Sequence, residues 1–129
     1  SFAVPDFIGH ALKEKKIVIM GDGRPRRSFC YESDLAIMML RSMMHDEGRT
    51  LNAGNDRPEV SIKELADIVA ESVGSVKVEV KEAPSAGPPS RYVPDMDRMR
   101  RTYAPEVDVR TGVARVIRHI RESTSIDDN

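Results

Sequence analysis

One predicted helix, apolar on nearly all sides, constrains the fold of this chain more than any other feature. Ser33 is a candidate N-cap, and the helix is expected to run to about His45. Its large apolar side chains surround the axis instead of forming one stripe: Leu35, Ile37, Met38, Met39, Leu40, Met43 and Met44. A helix of this kind needs cover on more than one side. Because a chain of 129 residues can build only one modest core, the pattern indicates a subdomain of something larger.

The rest of the chain predicts a small mixed α/β fold with few, short strands and four to five helices. A capping box at Ser61, apolar residues at helical spacing and a stop at Gly74 define the clearest helix. Strands are expected at 17–20, 50–54 and 76–80, and further helices at about 4–14, after 95 and after 112. Residues 83–90 are rich in Pro, Gly and Ser and are expected to form an irregular loop. So little sheet cannot organise a doubly wound Rossmann core.

Composition narrows the classes of protein that fit. The formal net charge is −1, so the overall charge gives no electrostatic case for nucleic acid or an anionic membrane as partner. No apolar run approaches the roughly 20 residues that a membrane span requires. Cys30 is the single cysteine and cannot form an internal disulfide, which favours a reducing setting. We expect a cytoplasmic protein in which residues 1–122 form one domain and residues 123–129 form a disordered tail.

Few residues carry a recognisable catalytic or metal-binding pattern. The three histidines lie on separate predicted helices, with no cysteine or carboxylate at metal-ligand spacing. Gly21-Asp22-Gly23 has no third glycine that opens a helix, so it indicates a tight turn and not a dinucleotide-binding loop. The sequence contains no Tyr-x-x-x-Lys pair. We therefore predict no catalytic residue, no metal site and no cofactor on this chain.

Arginines in two loops are the strongest candidates for ligand binding. Arg24, Arg26 and Arg27 crowd a loop between two short extended segments, and Arg91 ends the Pro-rich loop. A guanidinium group donates two parallel hydrogen bonds to phosphate, so arginines arriving from separate loops could clamp a diphosphate. A purely solvated role for these side chains stays open. RNA binding, with residues 98–101 as a second basic cluster, also stays open, although no aromatic residues alternate with the arginines.

Several segments share their order and spacing with one known family. They are Pro5-Asp6-Phe7-Ile8, Ile17-Val18-Ile19-Met20-Gly21-Asp22-Gly23, Arg27-Ser28-Phe29-Cys30-Tyr31 with Asp34-Leu35, Asn52-Ala53-Gly54-Asn55, Ser61-Ile62 with Glu64-Leu65-Ala66, and Arg91-Tyr92-Val93-Pro94-Asp95. Over about residues 4–122 this set resembles the C-terminal part of the extended short-chain dehydrogenases/reductases, the NAD-dependent sugar-nucleotide epimerases and dehydratases. The segment from Arg27 to Tyr31 is most similar to UDP-glucuronate decarboxylases, and Arg91-Tyr92 to nucleotide-sugar 4,6-dehydratases.

The resemblance implies roles for particular residues. Arg27 and Arg91 would bind the diphosphate, and Asn55 would contact the nucleotide. The pocket for the base would be lined by Phe7, Val18 and Met20. Met20 replaces an aromatic residue of the family pattern. The family binds NAD through an N-terminal Rossmann domain with a Gly-rich loop and a catalytic Tyr-x-x-x-Lys, neither of which the resemblance includes.

The resemblance also implies a function in substrate binding. The chain would form the nucleotide-diphosphate-sugar-binding portion of an NAD-dependent epimerase, dehydratase or decarboxylase, and would not turn over alone. Its expected partners are a UDP- or dTDP-linked sugar and the N-terminal Rossmann domain that would hold NAD. The alternative is a non-catalytic truncated homologue that acts as a nucleotide-sugar-binding or oligomerisation module. In either case the apolar helix predicts that the isolated chain self-associates.

Overall fold

The fold is given by a computed structural model, which describes residues 2–45 and 48–127. In chain order the elements are α1 (Ala3–Glu14), β1 (Lys16–Ile19), β2 (Arg26–Arg27), α2 (Glu32–His45), β3 (Val60–Ser61), α3 (Ile62–Val73), β4 (Lys77–Val80), β5 (Arg91–Tyr92), a 3-10 turn (Met99–Arg101) and α4 (Val109–Asp127). The described residues thus form the small mixed α/β fold that the sequence predicts, with four α-helices and short strands. No helix among them is both long enough and apolar enough to cross a membrane.

The strands form two small, separate sheets. β1 pairs in parallel with β4. In the other sheet β2 lies between β3, which is antiparallel to it, and β5, which is parallel to it. Along β1, Ile17 and Ile19 are buried, and Val18 faces the opposite side because successive side chains of a strand alternate. Neither sheet is large enough to be the centre of a doubly wound fold.

The main core lies where α1, α3 and α4 pack together beside β1. Ser61 and Glu64 form the predicted capping box: the hydroxyl of Ser61 accepts from the backbone N–H of Glu64, and the Glu64 carboxylate accepts from the backbone N–H of Ser61. This exchange satisfies two backbone donors at the start of α3, and Gly74 follows its end. The buried residues of α3 recur at helical spacing: Leu65, Ala66, Ile68, Val69 and Val73. The sequence-based prediction of this helix is confirmed.

A second, smaller core lies under one side of α2. Met38 is fully buried there against three residues of the segment before α4: Met96, Met99 and Tyr103. The other side of the helix is exposed. We call its large apolar residues the outer face of α2, namely Leu35, Met39, Leu40, Met43 and Met44. The described residues therefore cover one side of this helix and leave uncovered the side that its sequence also makes apolar.

The strand expected at residues 50–54 is absent, and this prediction is wrong. The side-chain amide of Asn52 donates to the carbonyl of Asp95 at 2.9 Å. Gly54 lies against Pro94, where an added Cβ would come within 3.2 Å of the ring. The segment has the apolar pattern of a strand, but it packs against an irregular segment that offers no backbone ladder.

Other helix predictions also differ from the structure, and α4 begins at Val109 and not after residue 112. Ser33 is not an N-cap, because α2 begins at Glu32 and the N–H of Leu35 already bonds to the carbonyl of Tyr31 at 3.1 Å. The short helix expected after residue 95 is a single 3-10 turn, although its two methionines are buried as expected.

The end of the chain continues α4 where a disordered tail was expected. The helix extends to Asp127 and so includes residues 123–127. The hydroxyls of Ser123 and Thr124 donate to carbonyls one turn earlier, each at 2.9 Å, which lets polar residues extend the helix. Residues 128 and 129, the rest of the expected tail, lie outside the described residues.

Candidate functional site

The three-stranded sheet brings together arginines that are distant in sequence. β2 consists of Arg26 and Arg27, and β5 begins with Arg91. The two strands are parallel, with Arg26 opposite Arg91 and Arg27 opposite Tyr92. The N–H of Arg26 also donates to the carbonyl of Ser90 at 2.8 Å, which joins β2 to the end of the Pro-rich loop. We call these three strands, with their three arginines, the arginine sheet.

The two predicted diphosphate ligands lie on neighbouring strands but not on the same face. Because opposed residues of paired strands share a face, Arg91 shares its face with Arg26, and Arg27 shares the other face with Tyr92. The structure therefore brings the backbones of Arg27 and Arg91 together and directs their side chains to opposite faces of the sheet.

A carboxylate that the sequence analysis did not single out joins Arg26 and Arg91. Glu59 Oε1 accepts from Arg26 Nε at 2.7 Å, and Glu59 Oε2 accepts from Arg91 Nε at 2.9 Å. A further contact of 2.8 Å connects Arg91 Nη2 with Glu59 Oε2. The hydrogen bond from Arg26 is the largest of the interactions that lower the pKa of Glu59. A single glutamate before a capping box does not predict an ion pair from sequence, because Glu59 contacts the two arginines only when the three strands form one sheet.

Arg27 is bonded in a different way from its neighbours. Its Nη1 donates to the carbonyl of Arg26 at 2.7 Å and to the carbonyl of Ser90 at 3.3 Å. Two longer contacts, each of 3.5 Å, reach the Ser90 hydroxyl. All these acceptors are neutral, so within the described residues no carboxylate neutralises this guanidinium group. It is the arginine of the sheet whose charge is most available to an anion.

The Gly21-Asp22-Gly23 turn holds the Pro-rich loop against the arginine sheet. Asp22 Oδ2 accepts from the backbone N–H of Ser85 at 3.1 Å and from its hydroxyl at 2.8 Å. These hydrogen bonds, the backbone one above all, lower the pKa of Asp22 to about 2. Arg24 donates to the carbonyl of Gly87 at 2.9 Å. The turn thereby fixes the loop that ends at Arg91.

The same turn does not have the geometry of a dinucleotide-binding loop. Gly23 has φ +72°, and a Cβ at this position would lie 3.1 Å from Lys63 Cβ, so α3 already occupies the space beside it. A strand, β2, follows the turn, whereas a dinucleotide loop opens a helix whose N-terminus receives the pyrophosphate. The residues present do not fit the NAD site of a Rossmann domain.

The residues predicted to line the base pocket do not meet. Phe7 is buried in the main core, whereas Val18 lies on the opposite side of β1 from the core and Met20 is 72% exposed beyond its end. An apolar cleft of about 840 Å³ lies elsewhere, between the start of α1, the segment after β2 and the first turns of α4. Its apolar lining includes Ala3, Val4, Phe29, Val109, Val113 and Val116. Of the Pro5-Asp6-Phe7-Ile8 segment, only Pro5 lines this cleft, together with the preceding Val4.

Asn55, the predicted nucleotide contact, is buried within the chain. Its Oδ1 accepts from the backbone N–H of Arg57 at 3.0 Å, so the side chain closes a turn between residues 55 and 57. Its recorded hydrogen bond does not involve the arginine sheet.

A second carboxylate with several partners, Asp34, is buried on α2. Its Oδ1 accepts from the Tyr103 hydroxyl at 2.7 Å, and its Oδ2 accepts from the N–H groups of Glu106 and Val107 at 3.2 and 2.9 Å. Burial raises the pKa of Asp34, but the hydrogen bonds from Tyr103, Val107 and Glu106 outweigh burial and lower it. The Asp34 side chain joins α2 to the segment before α4, and its oxygens are occupied by protein donors.

The described residues offer binding groups and no evident catalytic centre. No three side chains among the His, Cys, Asp and Glu residues of the described chain are placed to hold a metal ion. Burial raises the pKa of the Cys30 thiol, which disfavours the reactive thiolate. The arginine sheet is therefore suited to bind an anion, and an apolar cleft is lined by the segment that begins at Phe29, two positions after Arg27.

Comparison with known proteins finds similarity to one group of sugar-nucleotide enzymes. Residues 2–54 match the model of the NAD dependent epimerase/dehydratase family. UDP-glucuronic acid decarboxylase 1 of Arabidopsis thaliana is 28% identical over 97% of this chain and 29% of its own length. A putative UDP-glucose 4-epimerase of Methanocaldococcus jannaschii is 28% identical over 91% of this chain and 38% of its own length. The chain is thus similar to NAD-dependent epimerases/dehydratases over the matched segment and to these relatives over most of its length. It spans only about a third of the length of these two relatives.

Solved structures of sugar-nucleotide epimerases share the fold of the chain. The UDP-glucose 4-epimerase of Thermotoga maritima, solved with UDP-glucose, superposes with a TM-score of 0.83 at 21% identity, over 96% of this chain and 40% of that one. The UDP-glucuronic acid 4-epimerase of Bacillus cereus, solved with UDP-glucuronic acid and NAD, gives a TM-score of 0.75 at 22% identity, over 95% of this chain and 40% of that one. The match to the family model includes Arg27 and ends before Arg91.

Proposed function

We propose that this chain forms the nucleotide-diphosphate-sugar-binding portion of an NAD-dependent sugar-nucleotide epimerase, dehydratase or decarboxylase. The parallel pairing of β2 with β5 carries the proposal, because it places Arg27 and Arg91 on adjacent strands. The names of the relatives support it: they include UDP-glucuronic acid decarboxylases, and a related structure contains UDP-glucose.

The diphosphate binds first to Arg27. Its present acceptors are neutral oxygens, and exchanging them for phosphate oxygens adds the attraction of opposite charges. Arg91 uses Nε and Nη2 for Glu59, and its Nη1 supplies a second contact from the other face of the sheet, so that the diphosphate lies across the edge of β5. The base lies in the apolar cleft beside Phe29, which is two positions after Arg27 and replaces the pocket predicted around Phe7.

The role of the chain in the parent reaction is to bind and orient the substrate. NAD would be held, and the catalytic tyrosine and lysine supplied, by the N-terminal Rossmann domain, since the residues described here do not fit a dinucleotide. NAD would accept and return a hydride when bound there. Fixing the diphosphate and the base on this chain positions the sugar for that chemistry, because binding energy from remote groups favours one orientation of the reacting carbon.

The test is the affinity of the chain for UDP and UDP-glucose, measured by isothermal titration calorimetry, with dTDP and pyrophosphate as further ligands. Arg27→Ala is expected to weaken UDP binding about 10- to 100-fold, the equivalent of one charge-assisted hydrogen-bonding group. Arg91→Ala is expected to weaken it less, because its charge is already shared with Glu59. Pyrophosphate is expected to compete with UDP.

The matched control is Arg110→Ala. Arg110 and Arg91 each pair with a glutamate, Glu71 and Glu59 respectively, and both arginine side chains are 59% exposed. Arg110 lies on α4, outside the arginine sheet, so its replacement is expected to leave UDP binding unchanged. Equal losses in Arg27→Ala and Arg110→Ala, or no binding of any nucleotide by the wild-type chain below millimolar concentration, would refute the proposal.

The outer face of α2 supports the second proposed property, self-association of the isolated chain. Five large apolar residues on one helical face form a patch of the kind that mediates protein contacts. We propose that a second copy covers this face in an antiparallel arrangement. The two helix dipoles then oppose each other, which favours this arrangement over a parallel one.

Sedimentation velocity over a wide range of concentrations is expected to show a dimer. The double variant Leu40→Lys/Met43→Lys is expected to be monomeric, because two lysines facing their counterparts add charge to an apolar contact. Met20→Lys is the control, since Met20 is as exposed as the outer-face methionines but lies beyond β1. A wild-type chain that sediments as a monomer at every concentration contradicts dimer formation.

A further inference from the structure

Glu59 spans the arginine sheet from one side to the other. It lies directly before β3, which is an outer strand of the order β3-β2-β5. β3 and β5 are not neighbours in this sheet, so the backbone does not connect them. The Glu59 carboxylate pairs with Arg26 of β2 at 2.7 Å and with Arg91 of β5 at 2.8 Å, so these side chains together connect the two outer strands.

The orientation of the Arg91 side chain depends on the contact with Glu59 more than that of Arg26 or Arg27 does. β5 contains two exposed residues and pairs along one edge with β2. The recorded hydrogen bond and ion pair of the Arg91 side chain both go to Glu59. A long side chain on a short edge strand samples many rotamers, and ordering it opposes binding unless a partner has already restricted it.

The charges of the sheet lead to the same conclusion. Arg26 and Arg91 are opposite each other on one face, and like charges directly opposed across two strands repel. Glu59 gives one carboxylate oxygen to each guanidinium group and so removes this repulsion. Without that carboxylate, the two side chains would separate, and Arg91 would turn away from the sheet.

We propose that Glu59 is a positioning residue, which holds Arg91 in the orientation that binds the diphosphate. This inference rests on the proposed function, because it assigns the orientation of the second ligand of the same anion site. Glu59 itself does not touch the substrate. It occupies Nε and Nη2 of Arg91, so that Nη1 is the group presented to a phosphate oxygen.

The experiment is a double-mutant cycle on UDP affinity, using the wild-type chain, Glu59→Gln, Arg91→Ala and the double variant. Glu59→Gln is expected to weaken UDP binding about three- to tenfold, within the range of one exposed charge-assisted contact. In the Arg91→Ala background the same substitution is expected to have no further effect. Glu59→Asp, which keeps the carboxylate, is expected to recover part of the loss. Glu71→Gln, which removes the partner of Arg110 on α4, is the control.

A second measurement reports on the side chain without UDP. In the nitrogen-15 NMR spectrum of the wild-type chain, the Arg91 Nε–H is expected to be protected from exchange with water, and in Glu59→Gln this protection is expected to be lost. If this protection is lost in Glu59→Gln but the wild-type chain binds no UDP, the proposed function is refuted. Glu59 then has no role in diphosphate binding and is only a structural partner of Arg91.

Three outcomes overturn the positioning role itself. One is unchanged UDP affinity in Glu59→Gln, and another is tighter binding, which would make Glu59 a competitor of phosphate. The third is an equal loss of affinity in the wild-type and Arg91→Ala backgrounds, which would show that Glu59 acts on the fold in general. Thermal unfolding of each variant shows whether a loss of UDP affinity comes from a loss of folded protein.

Discussion

Replacing Asp34 with alanine is expected to lower the free energy of unfolding by about 3 kcal/mol, since several buried donors would lose their acceptor together. The side chain is 2% exposed and accepts hydrogen bonds from the Tyr103 hydroxyl and two backbone N–H groups. Urea unfolding at neutral pH, followed by circular dichroism, measures the loss. Tyr103→Phe, which removes one donor and leaves the carboxylate, is expected to cost about 1 kcal/mol.

The pH dependence of unfolding tests the same carboxylate. The folded-state pKa of Asp34 lies below the ordinary value of 3.8, because the hydrogen bonds outweigh the effect of burial. Its stabilising contribution is therefore complete above that ordinary value and is lost as the pH falls through the lower folded-state pKa. Asp34→Asn is expected to have a smaller loss of stability than the wild type over this acidic range. If the free energy of unfolding falls equally with pH in the wild type and in Asp34→Asn, Asp34 is not the group that titrates.

Met38→Ala is expected to lower the free energy of unfolding by about 2–5 kcal/mol, the usual cost of emptying a packed position. Met38 is fully buried in the small core under α2, and Met39, the next residue, is 58% exposed. Met39→Ala is the matched control, because it deletes the same atoms from the same helix. In the monomeric Leu40→Lys/Met43→Lys background, Met39→Ala is expected to change the free energy of unfolding by no more than about 0.5 kcal/mol. Equal effects of the two substitutions would mean that α2 is not docked as described.

Some elements are predictable because their signals are local. The capping box of Ser61 and Glu64 joins residues three positions apart, and the apolar residues of α3 follow one helical period, so this helix was predicted from residues 61–74 alone. The alternation of valines in β4 is equally local. Residues 50–54 show the limit of such reasoning. They have the pattern of a strand, but no partner strand lies beside them in the described residues.

The candidate site was predictable only in part. The arginines were singled out because their chemistry suits phosphate, and the pairing of β2 with β5 does bring Arg27 and Arg91 to adjacent strands. The sequence contained no sign that the register would direct them to opposite faces. It also contained no sign that Glu59 would join two of the three arginines, because that contact requires β3, β2 and β5 to be assembled.

By itself the sequence determined the presence of the four α-helices, the turn at Gly21-Asp22-Gly23, the surplus apolar surface of α2 and the resemblance to the epimerase/dehydratase family. These depend on residues close together in the chain, on composition or on the order of motifs. The tertiary structure alone decided which arginines share a face, which carboxylates hold them and which apolar residues line a cleft rather than the core. Those features arise from contacts between distant segments, and a shift of one residue in strand register would exchange the faces on which Arg26 and Arg27 lie.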